Sequence, residues 1–268
     1  MVGDVVGKPG MRIACDSIAW LRGSVGAQGI FVNAENAADG SGLCCKDYRR
    51  LIESGFQAIT LGDHLYRKRE IIEVLTSRSD IVRPVNLPPT APGKTHAIVE
   101  LVDGTKIAIL CALGRVFMKP VDCPFRAVEK ELGQLDASVK VRIVDFHAEA
   151  TSDMQVMGRY LDGRASVVLG THTHVATADE RIFPGGTGFQ SDIGMTGPFD
   201  SILGRKTEAV LEATLHGIPT PFVVATEDVR LNATWFDIDR STGACLAIGR
   251  IEVSESLIAA YNKSVSAK

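Results

Sequence analysis

The sequence has no run of about 18 apolar residues, the length that would read as a membrane span. Its first residues do not read as a signal peptide. The six cysteines (Cys15, Cys44, Cys45, Cys111, Cys123 and Cys245) contain no C-x-x-C spacing, and the vicinal pair Cys44-Cys45 is a poor start for a disulfide framework. A reduced, cytoplasmic chain is therefore expected. Basic charge is not in excess: 29 Lys and Arg against 32 Asp and Glu give a net charge of −3, which excludes duplex nucleic-acid binding by charge alone. There is also no internal repeat, low-complexity tract or interdomain linker. What is present is an ordinary globular composition, 45% hydrophobic and 23% charged over 268 residues. That length suits one domain over 1–268, with 264–268 as a solvated tail.

The most suggestive stretch is Gly170-Thr171-His172-Thr173-His174, which follows the apolar run Ala165-Ser166-Val167-Val168-Leu169. The run reads as a buried strand. A His-x-His pair at a strand end can aim two imidazoles at one point once the chain leaves its alternating geometry. Imidazole is a ligand for zinc, iron and related metals. Alone, the pair reads equally well as two polar loop histidines. Four other apolar runs also end in ligand residue types, however: Asp4, Glu35 with Asn36, Asp63 with His64, and His147.

Around these ends the patterning predicts helices at 12–22, 46–54, 67–76, 124–134, 153–161 and 206–216. Gly55 is the expected stop of the second helix. Strands are expected at 30–32, 58–61, 141–144, 222–226, 230–237 and 245–253, with a proline-rich irregular stretch at 80–93. Asp103-Gly104 between two apolar runs predicts a hairpin over 97–112. Early strands alternate with helices and later ones form hairpins. Two mixed β-sheets packed face to face and flanked by helices, an α/β sandwich, fit that order.

In open α/β sheets, ligands bind in the crevice beyond the carboxyl ends of the strands. Residues from Asp4 to His174 can therefore converge. Carboxylates and histidines so crowded need partners or metal. A single catalytic zinc usually takes three protein ligands; seven residues are available here, with His64 still spare. Two divalent ions about 3.5–4 Å apart, sharing a carboxylate, fit such a set. The mixed oxygen and nitrogen donors suit manganese, iron or zinc.

These residues resemble those of the calcineurin-like metallophosphoesterases, and most closely the YmdB-like bacterial phosphodiesterases. The resemblance is carried by Gly3-Asp4-Val5-Val6-Gly7-Lys8-Pro9-Gly10, Asn33-Ala34-Glu35-Asn36-Ala37-Ala38 and Gly62-Asp63-His64. It continues through Gly114-Arg115-Val116-Phe117-Met118, Val144-Asp145-Phe146-His147-Ala148-Glu149-Ala150-Thr151 and Gly170 to His174. Pro184-Gly185-Gly186-Thr187 and Asp192-Ile193-Gly194-Met195-Thr196-Gly197-Pro198 complete it. It implies an αββα sandwich with a dinuclear centre. Asp4, Glu35, Asn36 and His174 would surround one ion, with Glu35 bridging. Asp63, His147 and His172 would hold the other, and His64 would be the catalytic side chain near the leaving group. The implied reaction is hydrolysis of phosphodiesters, notably 2′,3′- or 3′,5′-cyclic nucleotides, by metal-activated water. The implied partner is a small phosphodiester, with RNA as a further candidate, no membrane, and a homo-oligomer expected. Backbone groups of Gly194, Met195, Thr196 and Gly197, and the Arg115 side chain, are candidate substrate contacts. Phosphomonoesterase or ribonuclease action at the same centre, and a metal-binding regulatory protein with weak turnover, stay open.

Two departures stand out. The family usually has Asn where this chain has Asp63, so a third carboxylate joins Asp4 and Glu35. The added charge should tighten metal binding and attract an anionic substrate less. Only two residues precede Gly3-Asp4, so the first strand reads as truncated and Asp4 as weakly supported.

Overall fold

The structure is a computed structural model that describes residues 1–267. Its strands in chain order are β1 (Asp4–Val5), β2 (Phe31–Asn33), β3 (Ala58–Thr60), β4 (His96–Glu100), β5 (Lys106–Leu113) and β6 (Val141–His147). They continue as β7 (Val167–Thr171), β8 (Arg181–Ile182), β9 (Gly188–Gln190), β10 (Met195–Pro198), β11 (Val229–Ile238) and β12 (Cys245–Ser254). The helices are α1 (Gly7–Asp16), α2 (Ile18–Trp20), α3 (Cys45–Ser54), α4 (Ile71–Ser77), α5 (Pro124–Gln134), α6 (Thr151–Tyr160), α7 (Thr207–His216) and α8 (Glu255–Ser266).

One sheet runs β4-β5-β6-β7-β9-β8. The other runs β1-β10-β11-β12, and Val2 joins it to the β2-β3 pair by bridging both Val32 and Ala233. The alternation of side chains along each strand sorts them into layers. Phe31, Ala58, Ile109, Ile143, Val167 and Leu169 meet between the sheets. The opposite face of the first layer, including Val32 and Ile59, packs under Ile13, Leu51, Leu75 and Ile258 of α1, α3, α4 and α8. The opposite face of the second, including Val144, Phe146 and Val168, packs under Val128, Leu132, Met154 and Met157 of α5 and α6. This is the expected α/β sandwich. Each fully buried Leu, Ile or Phe contributes about 1.5–3 kcal/mol relative to exposure.

Several boundaries differ from the periodicity. The first helix begins at Gly7 rather than residue 12, because Pro9 sits in the first turn, where its missing N–H has no intrahelical partner to lose. The expected helix at 67–76 is tighter and begins at Ile71. Residues 222–226 form no strand; Val224 makes one isolated bridge to Arg205. The expected tail is helical as far as Ser266, in a helix capped by the Ser254 hydroxyl, while residue 268 lies outside the described residues. Strand β1 is short, yet Asp4 is not weakly supported. Its side chain is fully buried, its N–H donates to the Gly194 carbonyl at 3.1 Å, and the Gly3 N–H donates to the Asn232 carbonyl at 3.0 Å. Neighbouring strands supply the support that length along β1 does not.

Candidate metal centre

The strands that face one another deliver a layered site. On β2, β3, β6 and β7 the residues Phe31, Ala58, Ile143 and Leu169 belong to the inter-sheet core. Two positions on, the same faces carry Asn33, Thr60, Asp145 and Thr171, all fully buried. One step further lie Glu35, Asp63, His147 and His172. The apolar core therefore ends in a polar layer, and that layer in a cluster of ligand-type groups.

Glu35, Asp63, His147 and His172 each place one ligand atom within 4.8 Å of the other three. Glu35 Oε1 lies 3.0 Å from His147 Nε2, and His172 Nδ1 lies 2.9 Å from the same nitrogen. Asp63 Oδ1 lies 3.5 Å from His147 Nε2 and 3.8 Å from His172 Nδ1. Asp4 Oδ1 and Asp63 Oδ1 are both buried with no hydrogen-bond partner. Buried carboxylate oxygens without donors are costly, and a divalent cation satisfies them. The donor set of oxygens and imidazole nitrogens fits such an ion.

Local backbone explains how the ligands point inward. Gly62 precedes Asp63 at the end of β3; a Cβ there would lie 2.3 Å from Glu35 Oε2 and 2.4 Å from His147 Nε2. Only glycine lets the backbone pass so close to the ligands. His172 (φ 109°) and His174 (φ 66°) both adopt left-handed backbone. Strain of this kind persists where surrounding structure holds it. The clamp is Asp192, whose Oδ2 accepts from the Thr173 N–H at 3.0 Å and hydroxyl at 2.9 Å, and whose Oδ1 accepts from the Gly194 N–H at 2.7 Å. Burial raises its pKa to about 7. His174 donates Nδ1–H to the Leu203 carbonyl at 3.1 Å, leaving Nε2 as a lone pair. Desolvation lowers its pKa to about 4, so it is neutral, as a ligand must be. On His172, Nε2 faces Glu149 at 3.2 Å.

The remaining titrations follow the crowding. Burial pushes Asp4 well above the usual carboxylate range. Burial also works against ionisation of Asp63 and Glu35, but the close approach of His147 outweighs it and lowers both. Desolvation alone would lower His147; Glu35, Asp63 and Asp4 together raise it well above its ordinary value. The centre thus draws positive charge to itself.

Four of the seven expected ligands form the compact cluster, and the other three line one side. Asp4 Oδ2 accepts from the His172 N–H at 3.1 Å. Asn36 presents its amide nitrogen to His174 Nε2 at 3.1 Å and its oxygen to His64 Nδ1 at 2.9 Å. His64 also donates its backbone N–H to Glu35 Oε2 at 2.9 Å, which ties it to the centre. The Gly194 to Gly197 segment corrects the expectation of free phosphate-binding donors. Gly194 N–H is spent on Asp192, Met195 N–H donates to the His174 carbonyl at 3.3 Å, and β10 is buried throughout. Arg115 is exposed just beyond the end of β5, where the Gly114 N–H bonds the His147 carbonyl. Sequence reasoning assigned no role to Asp145, Thr171, Asn33, Thr60 or Glu149. The available signal was Asp145 itself, a carboxylate interrupting the apolar run 141–146.

A family model described as "YmdB-like protein" matches residues 1–251. The 2′,3′-cyclic-nucleotide 2′-phosphodiesterase of Bacillus subtilis (strain 168) is 40% identical over 254 residues, covering 95% of this chain and 96% of that protein. A crystal structure of a hypothetical protein from Thermus thermophilus superposes with a TM-score of 0.89 at 40% identity, covering 95% and 98% of the two chains. A crystal structure of a novel phosphatase from Mycoplasma pneumoniae superposes at 0.88 with 33% identity, covering 94% of this chain and 92% of the other.

Proposed function

The chain belongs to the YmdB-like protein family, and on that footing we propose that it is a metal-dependent phosphodiesterase that opens 2′,3′-cyclic nucleotides. One observation carries the reading: Glu35, Asp63, His147 and His172 aim four ligand atoms at one point, beside the unpartnered oxygens of Asp4 and Asp63. The activity of the Bacillus relative supports the choice of substrate. The reading takes the whole chain as one catalytic unit.

When bound, divalent ions here supply Lewis-acid and water-activating chemistry. Glu35, Asp63, His147 and His172 would hold one ion. Asp4, Asn36 and His174 would hold a second. Iron, manganese and zinc all suit the donors. His64 stands at the rim with its side chain 27% exposed and Nδ1 anchored on Asn36. That anchor leaves Nε2 for proton transfer. Water adds to phosphorus and gives up one proton to solvent, the P–O2′ bond breaks, and His64 Nε2–H protonates the departing ribose 2′-oxygen as general acid. The product is a nucleoside 3′-monophosphate. Cytoplasmic residence belongs to the same reading, supported by six unpaired cysteines and by the lack of a described helix long and apolar enough to cross a membrane. Self-association also belongs to it, and light scattering of the purified chain tests it.

The test is turnover by metal-loaded protein of 2′,3′-cyclic AMP, 3′,5′-cyclic AMP, p-nitrophenyl phosphate and single-stranded RNA. The 2′,3′-cyclic substrate is preferred, and chelation abolishes its hydrolysis. His64→Ala lowers kcat by about 10²–10⁴ with metal content unchanged. Preferred turnover of p-nitrophenyl phosphate or of RNA would reassign the chain as a phosphomonoesterase or a ribonuclease. No turnover at full metal loading would leave a metal-binding regulatory protein.

A further inference from the structure

Beneath the ligand cluster lies a closed hydrogen-bond chain that the hydrolytic steps do not use. Asp145 is fully buried between the sheets. Its Oδ2 accepts from Asn33 Nδ2 at 2.9 Å and from the Thr60 hydroxyl. Its Oδ1 accepts from the Thr171 hydroxyl at 2.6 Å. That bond uses the only proton Thr171 has. Thr171 Oγ1 lies 2.9 Å from His147 Nδ1 and, with no proton left, can only accept from it; Asn33 Nδ2 approaches the same oxygen at 3.4 Å. With Asp145 accepting, the direction of every bond is thereby set: the proton sits on His147 Nδ1, and Nε2 is the nitrogen left to serve an ion. Nε2 is the nitrogen that faces Glu35 and Asp63.

We propose that Asp145, acting through Thr171, is a positioning residue that fixes which nitrogen of His147 is presented to the metal. The proposal rests on the reading of Glu35, Asp63, His147 and His172 as metal ligands. Its logic makes a directional prediction for a nearly isosteric change. In Asp145→Asn, the amide oxygen stays at the Oδ2 position, because two donors converge there, and the NH2 group takes the Oδ1 position. The amide then donates to Thr171 Oγ1. Thr171 turns its own proton toward His147 Nδ1, and the imidazole must carry its proton on Nε2, pointing into the centre. Loss of an orienting partner of this kind typically costs 10–100-fold in metal affinity.

The experiment measures zinc affinity by competition with a chromophoric chelator, alongside ¹⁵N–¹H correlations of the histidine rings in the zinc-loaded protein and thermal unfolding of the chelated protein. Asp145→Asn weakens zinc binding by about 10–100-fold and loses the His147 Nδ1–H signal, while the chelated variant still unfolds cooperatively. Thr171→Ser keeps the hydroxyl and, with Asp145 in place, retains both affinity and signal; Thr171→Val loses both. Wild-type affinity with an intact Nδ1–H signal in Asp145→Asn overturns the proposal. So does a change in melting temperature without a change in affinity, which is what a merely structural role produces. Failure of the wild-type protein to bind zinc, manganese or iron overturns the metal-site reading instead, and the two failures are therefore distinct.

Discussion

Asp63 brings a third carboxylate to this centre, and its surroundings decide what that charge does. Three carboxylates, Asp4, Glu35 and Asp63, face His147 and His172, and the nearby His147 lowers the Asp63 pKa against the opposing effect of burial. Replacing it with Asn keeps the shape and removes one negative charge. Asp63→Asn should lower metal affinity by at least about tenfold and change turnover of an anionic diester, both read from metal content and kinetics of the same preparation. Unchanged values would show that the extra carboxylate is neutral in effect. Asp192 acts at the same scale through protons. Burial raises its pKa from 3.8 to about 7. A raised carboxyl pKa means that the folded chain holds a proton the unfolded chain has released. The contribution to stability is therefore full below about pH 4 and is lost as pH rises through about 7. In chelated protein, the melting temperature of the wild type relative to Asp192→Asn should fall across that interval. A flat difference would show that Asp192 is ionised throughout.

At the level of elements, the centre depends on strand ends that stop abruptly. The end of β3 turns through Gly62, where any side chain would occupy the space of Glu35 Oε2 and His147 Nε2. Gly62→Ala should cost about 1–3 kcal/mol by overpacking and lower metal affinity more than it lowers the stability of chelated protein. Equal losses in both would make Gly62 a packing residue only. Gly170, on β7, is constrained in the same way, with a Cβ position 1.6 Å from the Ser191 carbonyl oxygen. Element existence was largely legible. The Asp103-Gly104 hairpin, the helix over Pro124–Gln134 and the stop at Gly55 appear where turn chemistry and periodicity put them. The short strands β8, β9 and β10 were not, because so few residues of mixed polarity carry no period. They exist because neighbouring strands bond them.

For the whole molecule, the centre lies where two sheets meet, so an ion held there would also join the two layers. Asp4, Glu35 and Asp63 belong to segments leaving one layer; His147 and His172 leave the other. Without an ion, their acceptors would face one another with no cation between them. Chelation should lower stability by about 2.7 kcal/mol relative to protein held at a hundredfold excess of metal over Kd. For a chain of this size that is roughly 5–10 °C in Tm. A melting curve insensitive to chelator would place the metal outside this junction.

The sequence by itself determined the candidate ligand residues and their order, because they stand at or after the ends of runs whose burial is read from local pattern. It also determined that β-strands carry them, and that Pro9, Gly55 and Asp103-Gly104 punctuate the elements. Only the tertiary structure decided which ligands form the tight cluster, that Gly194 and Met195 spend their N–H groups inside the fold, and that Asp4 is held by Gly194. It also decided that Asp145 ends at His147 by way of Thr171. The physical reason is common to all of these. Local periodicity records which face a side chain takes, whereas the partner of a buried polar atom is set by the strand across the core, more than a hundred residues away for Asn33 and Asp145.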